Sequence, residues 1–99
     1  MRFTLYINEG VMRIKVGDKL PMTVSGKAPG LLMYGIKDEN NTLLLSDGLT
    51  LCSDPHDQNY IEADKMESMP EDIIATVLDV ESVFGVHTVT INIEERDTM

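Results

Sequence analysis

Tryptophan is absent from this chain, and Phe and Tyr together supply only 5% of its residues, so any core must rest on Leu, Ile, Val and Met. Cysteine occurs once, at Cys52, which excludes an intramolecular disulfide and fits a reducing compartment; a cytoplasmic location is the expectation. No run approaches the roughly 20 apolar residues that cross a bilayer. The opening MRFTLYINEG alternates where a signal peptide would carry a continuous apolar block. The 99 residues leave little room for two cores, so residues 1–99 read as a single domain.

Basic residues are scarce beyond the first third. Residues 1–37 carry six of them (Arg2, Arg13, Lys15, Lys19, Lys27, Lys37) against Glu9 and Asp18, whereas residues 38–99 carry fifteen carboxylates against Lys65 and Arg96. The net charge of -9 repels nucleic acid and anionic membrane and attracts basic protein surfaces. Neither direct nucleic-acid binding nor membrane binding is expected.

Periodicity organises what is there. Phe3, Leu5 and Ile7 alternate with polar residues, and so do Met12, Ile14 and Val16. A two-residue Glu9-Gly10 turn would pair Ile7 with Met12, Leu5 with Ile14 and Phe3 with Val16, placing all six on one face of a hairpin. Val16 to Lys19 reads as a turn, Leu20 to Val24 as a short strand whose Pro21 favours an edge or bulge, and Ser25 to Gly30 as a loop. Leu31 to Lys37, Thr42 to Ser46 and Leu49 to Cys52 read as a three-stranded meander around DENN and Asp47-Gly48. In MPEDIIATVLDVESVFG, Ser68 and Glu71 satisfy a capping box, Ile73, Ile74, Val77, Val80 and Phe84 form an apolar stripe, and Gly85 is a natural stop; a helix is expected here. Val86 to Glu95 then closes the chain as a strand. The order of elements, with no βαβ alternation, predicts an α+β fold: a mainly antiparallel sheet or small open barrel of six to seven short strands with one helix in the C-terminal half.

The chemistry-bearing residues match no catalytic or metal pattern. Cys52, Asp54, His56 and Asp57 lie close together, with Glu62 and Asp64 able to fold back, but there is no C-x-x-C pair, no H-E-x-x-H and no D-x-D-x-D-G loop. Cys52 with His56 or His87 lacks an orienting group and a glycine-rich oxyanion turn. His87 falls on the apolar face of its strand, where a hydrogen-bonded, partly buried histidine is the plain reading. SGKAPG lacks the spacing of a phosphate-binding loop. The chain is therefore read as non-enzymatic, with no cofactor and no metal.

What stands out is the stretch from Ser53 to Asp72, where seven carboxylates accompany one lysine and one histidine. Asp54, Asp57, Glu62, Asp64, Glu67, Glu71 and Asp72 would steer a basic partner, and Tyr60, Ile61, Met66 and Met69 would hold it. In size and charge the chain resembles the small acidic inhibitors that viruses of bacteria direct against nucleic-acid enzymes, some by imitating DNA phosphates. That likeness implies a basic, nucleic-acid-handling protein as partner. Two alternatives follow from the same residues: a structural subunit whose basic first third meets the acidic remainder of another copy, giving a head-to-tail homo-oligomer, and a small metal-dependent or cysteine hydrolase.

Overall fold

A computed structural model describes residues 1–8, 13–38 and 40–94, the side chains of residues 44–47 excepted. Its six strands are β1 (Arg2–Asn8), β2 (Lys19–Ala28), β3 (Leu31–Lys37), β4 (Leu43–Cys52), β5 (Asp72–Val83) and β6 (Val86–Ile93), and a single-turn-and-a-half helix α1 (Ala63–Ser68) precedes β5. They form one antiparallel sheet in the order β1-β6-β5-β2-β3-β4. The sheet curls until its two edges, β1 and β4, approach each other, making a nearly closed barrel. The expected class, a mainly antiparallel α+β fold, is the one observed.

Strand alternation fills the barrel. Phe3, Leu5 and Ile7 point inward from β1, Leu20 and Met22 from β2, Leu32, Tyr34 and Ile36 from β3, Leu49 and Leu51 from β4, Ile73, Ala75 and Val77 from β5, and Val89, Ile91 and Ile93 from β6. Each aliphatic side chain so buried stabilises by about 1.5–3 kcal/mol relative to exposure, offset by the chain entropy lost. Curvature comes from irregularities in register at Val24/Gly26, Gly35/Ile36 and Val77/Asp79. At the second of these Gly35 faces Gly48, and a Cβ on Gly48 would lie 2.5 Å from the Tyr34 carbonyl oxygen, so the two backbones approach only because the side chain is missing.

The structure corrects several expectations. The helix expected from Met69 to Gly85 is a strand, β5, followed by a turn; the helix instead lies earlier, at Ala63–Ser68, and two strands follow it rather than one. The reason is competition between periods. Ile73, Ala75 and Val77 alternate as buried positions with Ile74 and Thr76 facing outward, and the β-branched run favours the extended chain once β2 and β6 supply partners on both sides. Nor does β1 pair with residues 13–16. It pairs with β6 in the register Phe3↔Ile91, Leu5↔Val89, Ile7↔His87, while residues 13–15 are not a strand, Ile14 is buried and Val16 is exposed. The Glu9-Gly10 turn and Met12 lie outside the described residues.

Two boundaries also move. The Ser25–Gly30 loop is mostly strand, because β2 continues to Ala28 and turns at Pro29-Gly30 into β3. Asp47-Gly48 is an irregularity within one continuous β4 rather than a break between two strands. Pro21 is accommodated where β2 has β5 beside it but is not yet paired with β3, a local edge within an otherwise central strand. Ahead of β4 the Asp38 carboxylate accepts from the Asn40 and Thr42 amides at 2.8 and 2.9 Å, while Glu39 of the expected DENN turn lies outside the described residues.

Candidate functional site

The acidic segment closes the barrel. Its centre lies between β1 and β4: the Cys52 amide donates to the Asn59 carbonyl and the Ile61 amide to the Cys52 carbonyl, at 3.1 and 2.9 Å, while Ile61 is buried among the core side chains. On the other side Asn59 behaves as a strand would. Its side-chain oxygen accepts from the Thr4 amide at 2.9 Å and its Nδ2 donates to the Thr4 carbonyl at 2.8 Å, satisfying main-chain groups of β1 that β4 does not reach. The Tyr6 hydroxyl donates to Gln58 Oε1 at 3.3 Å one step along.

Between these anchors the loop is shaped by its own carboxylates. Asp54 accepts from the His56 amide at 3.0 Å and Asp57 from the Asn59 amide at 2.9 Å, the pattern by which Asp organises a turn. Asp54, Asp57 and Glu62 are exposed, as are Asp64 and Glu67 on α1 and Glu71 after it; Tyr60 is exposed too. Met66 and Met69 differ, packing against the core as partly buried side chains. Ile61 is in the core, so of the four expected apolar contacts only Tyr60 faces solvent.

Asp72 begins β5 and is already engaged. Hydrogen bonds from Thr23 and Lys37, and then the Lys37 charge, hold its carboxyl below the usual carboxylate range, with Lys37 Nζ at 3.2 Å. Behind it the Tyr34 hydroxyl donates to the Pro70 carbonyl. Burial first, and the Asp72 charge second, push the Tyr34 phenol up from 10.0. The segment is thus pinned at Asn59, Ile61, Pro70 and Asp72, and its remaining carboxylates are displayed on a fixed backbone.

The other chemical candidates stay apart. Among the described residues no group of three or more His, Cys, Asp or Glu converges as a metal set. Cys52 is a half-buried free thiol whose sulfur accepts from the Asp54 amide at 3.4 Å. His87 is buried on the apolar face of β6, and its Nδ1 lies 2.5 Å from the hydroxyl of Ser82, its cross-strand partner. This pair ties the stem of the β5–β6 hairpin.

Two features escaped the sequence reading. The first is the tip of the β5–β6 hairpin, where Val83 pairs with Val86 across a two-residue turn, Phe84-Gly85, with φ of 51° and 79°. Both values are positive, as in a type I′ turn, whose first position favours Asn, Asp or Gly. Phe84 is fully exposed there, and Val83, Val86 and Tyr6 are exposed beside or near it. The available signal was Val-Phe-Gly-Val, which reads equally as the end of a helix capped by Gly85 and as a turn between two strands. The second is an open cleft of about 550 Å³ lined by Lys19, Pro21, Lys37, Asp72, Ile74 and Glu94 among others. Ile74 is 61% exposed in it, so this cleft has an apolar wall without a neighbour from the same chain.

No helix among the described residues is long and apolar enough to cross a membrane. Comparison with protein-family models, with curated proteins and with solved structures finds no match to this chain.

Proposed function

We propose that this protein is a non-enzymatic binding module that docks on a basic protein surface through its acidic segment, in the manner of an inhibitor that imitates DNA phosphates and occupies a nucleic-acid-handling protein. The observation that carries the reading is the outward display of Asp54, Asp57, Glu62, Asp64, Glu67 and Glu71 from a backbone anchored at Asn59 and Ile61. Fixed charges lose little conformational entropy on docking, and a one-sign field speeds encounter with a basic partner. Tyr60 is the exposed apolar residue positioned to hold the complex once formed.

The test is a pull-down at low salt with the purified protein as bait, followed by kinetics with the captured, purified partner. Neutralising Asp54, Asp57, Glu62, Asp64 and Glu67 to Asn or Gln should slow association at least about tenfold at low salt and change little at high salt, while Tyr60→Ala should raise the dissociation rate. A partner whose binding ignores both salt and these substitutions would remove the acidic segment from the interface.

A further inference from the structure

We propose that the free edge of β5, from Asp79 to Val83, takes up an extended segment of another protein as an added strand, and that this segment carries basic residues at alternate positions. The edge lies outside the acidic segment, so the inference does not rest on the docking function above.

The edge exists because β2 stops short of it. β2 begins at Lys19, opposite Thr76, and Gly17 and Asp18 carry the pairing one residue further, to Val77. The Asp18 amide then closes a turn on the Lys15 carbonyl at 3.1 Å, which reverses the chain before it can continue along β5. From Asp79 to Val83, β5 therefore has β6 on one side and, among the described residues, no strand on the other. Val83 and Val86 flank a two-residue turn and bond to each other, so alternation directs the main-chain groups of Glu81 and Asp79 toward β6 and those of Val80 and Ser82 outward. Those outward groups meet no main-chain partner among the described residues. A row of this kind is a template for strand addition.

Side chains decide which strand fits. Asp79, Glu81 and Val83 alternate on the exposed face of the edge, and among the described residues neither carboxylate takes part in an ion pair. Carboxylates blunt an edge selectively: they turn away acidic strands and accept basic ones. A second copy is among the strands turned away. Antiparallel pairing of two β5 edges in the register that uses both Val80 and Ser82 sets Glu81 directly against Glu81 of the other copy, and like charges so placed are destabilising. Lys or Arg opposite Asp79 and opposite Glu81 reverses that sign. An apolar residue two positions on then falls beside Val83, at a hairpin tip where Phe84 is also exposed. Charge and spacing together fit an extended segment with two basic residues and one apolar residue at alternate positions.

The test uses the full chain and a short synthetic peptide in which Val, Lys and Lys alternate with Thr, at about 0.15 M salt, where charges beyond about 8 Å are screened. Fluorescence anisotropy should give a dissociation constant below about 1 mM, and hydrogen exchange should show new protection at the Val80 and Ser82 amides. Two changes should each weaken binding about tenfold or more. One is N-methylation of the Thr amides, which face the edge in an antiparallel pair; it removes the ladder and leaves the charge. The other is Asp79→Lys combined with Glu81→Lys, both at exposed positions. Neutralising Asp54, Asp57, Glu62, Asp64 and Glu67 should change binding less than about twofold, which separates this edge from the acidic segment.

Four results would each overturn the proposal: no binding at about 1 mM; equal binding of the N-methylated peptide, which would mean charge alone; binding that follows the 54–67 carboxylates in place of Asp79 and Glu81; and protection of Val80 and Ser82 through self-association of the native chain.

Discussion

Replacing Phe84 by Asn should make the monomer more stable, although it removes a large apolar side chain. The side chain is fully exposed, so its removal forfeits no burial. The backbone at φ 51° is another matter. A residue with a Cβ in the left-handed region costs about 1–2 kcal/mol, and Asn relieves much of that through its local hydrogen bonding, so a gain of about 1 kcal/mol is expected. For a chain of this size that corresponds to a rise in Tm of about 4–8 °C. Urea unfolding followed by far-ultraviolet circular dichroism should show a higher midpoint with an unchanged slope. Phe84→Ala is the control. It keeps a Cβ at the same φ, so its stability should stay within about 0.5 kcal/mol of the native chain, the range of exposed substitutions without special features. If Phe84→Asn lowers stability, the phenyl ring makes a contact that its exposure denies, and the argument from turn strain fails.

Asn59→Ala should cost about 2 kcal/mol, because it strands both the amide and the carbonyl of Thr4 at a seam that water only partly reaches. Hydrogen exchange should find the Thr4 amide newly labile while amides in the β2–β3 hairpin keep their protection. Tyr34 sets a dependence on alkaline pH. Its phenol is raised above 10.0 in the folded state, so the stability linked to its neutral form is complete below about pH 10 and falls as pH rises through the folded-state value. Tyr34→Phe loses the bond to Pro70 at all pH, about 1 kcal/mol. The gap between the two proteins should be constant below pH 10 and close above it; a constant gap through alkaline pH would contradict the burial assigned to the phenol. Acid acts oppositely on Asp72, whose lowered carboxyl contributes above its unfolded value near 3.8 and loses that contribution as pH falls. Asp72→Asn should flatten that part of the acid limb.

The faces of β1 and β6 were legible because alternation survives at both: Phe3, Leu5 and Ile7 inward, and His87, Val89, Ile91 and Ile93 inward. The segment from Ile73 to Phe84 was not, since Ile73, Ile74, Val77, Val80 and Phe84 satisfy a helical stripe while Ile73, Ala75 and Val77 satisfy a strand. Ile74 and Phe84, both left outward, separate the two patterns, and an exposed apolar residue cannot be recognised before its surroundings are known. The acidic segment was visible as a cluster of charge, but its anchoring was not. Nothing in the local sequence distinguishes Asn59, which pairs with Thr4 across 55 positions, from Asn40 or Asn41 in an ordinary turn.

By itself, then, the sequence determined the class of the fold, the inward faces of β1 and β6, and the imbalance of charge. These follow from local preference and period, which neighbouring residues carry among themselves. Tertiary structure decided that β1 pairs with β6, that the run after Met69 is extended, and that Phe84 stands alone at a tip. Strand pairing joins residues ninety positions apart, as Arg2 with Asn92, and the free energy of such a ladder belongs to both partners at once. A segment with two compatible periods takes the one whose hydrogen bonds the rest of the barrel completes.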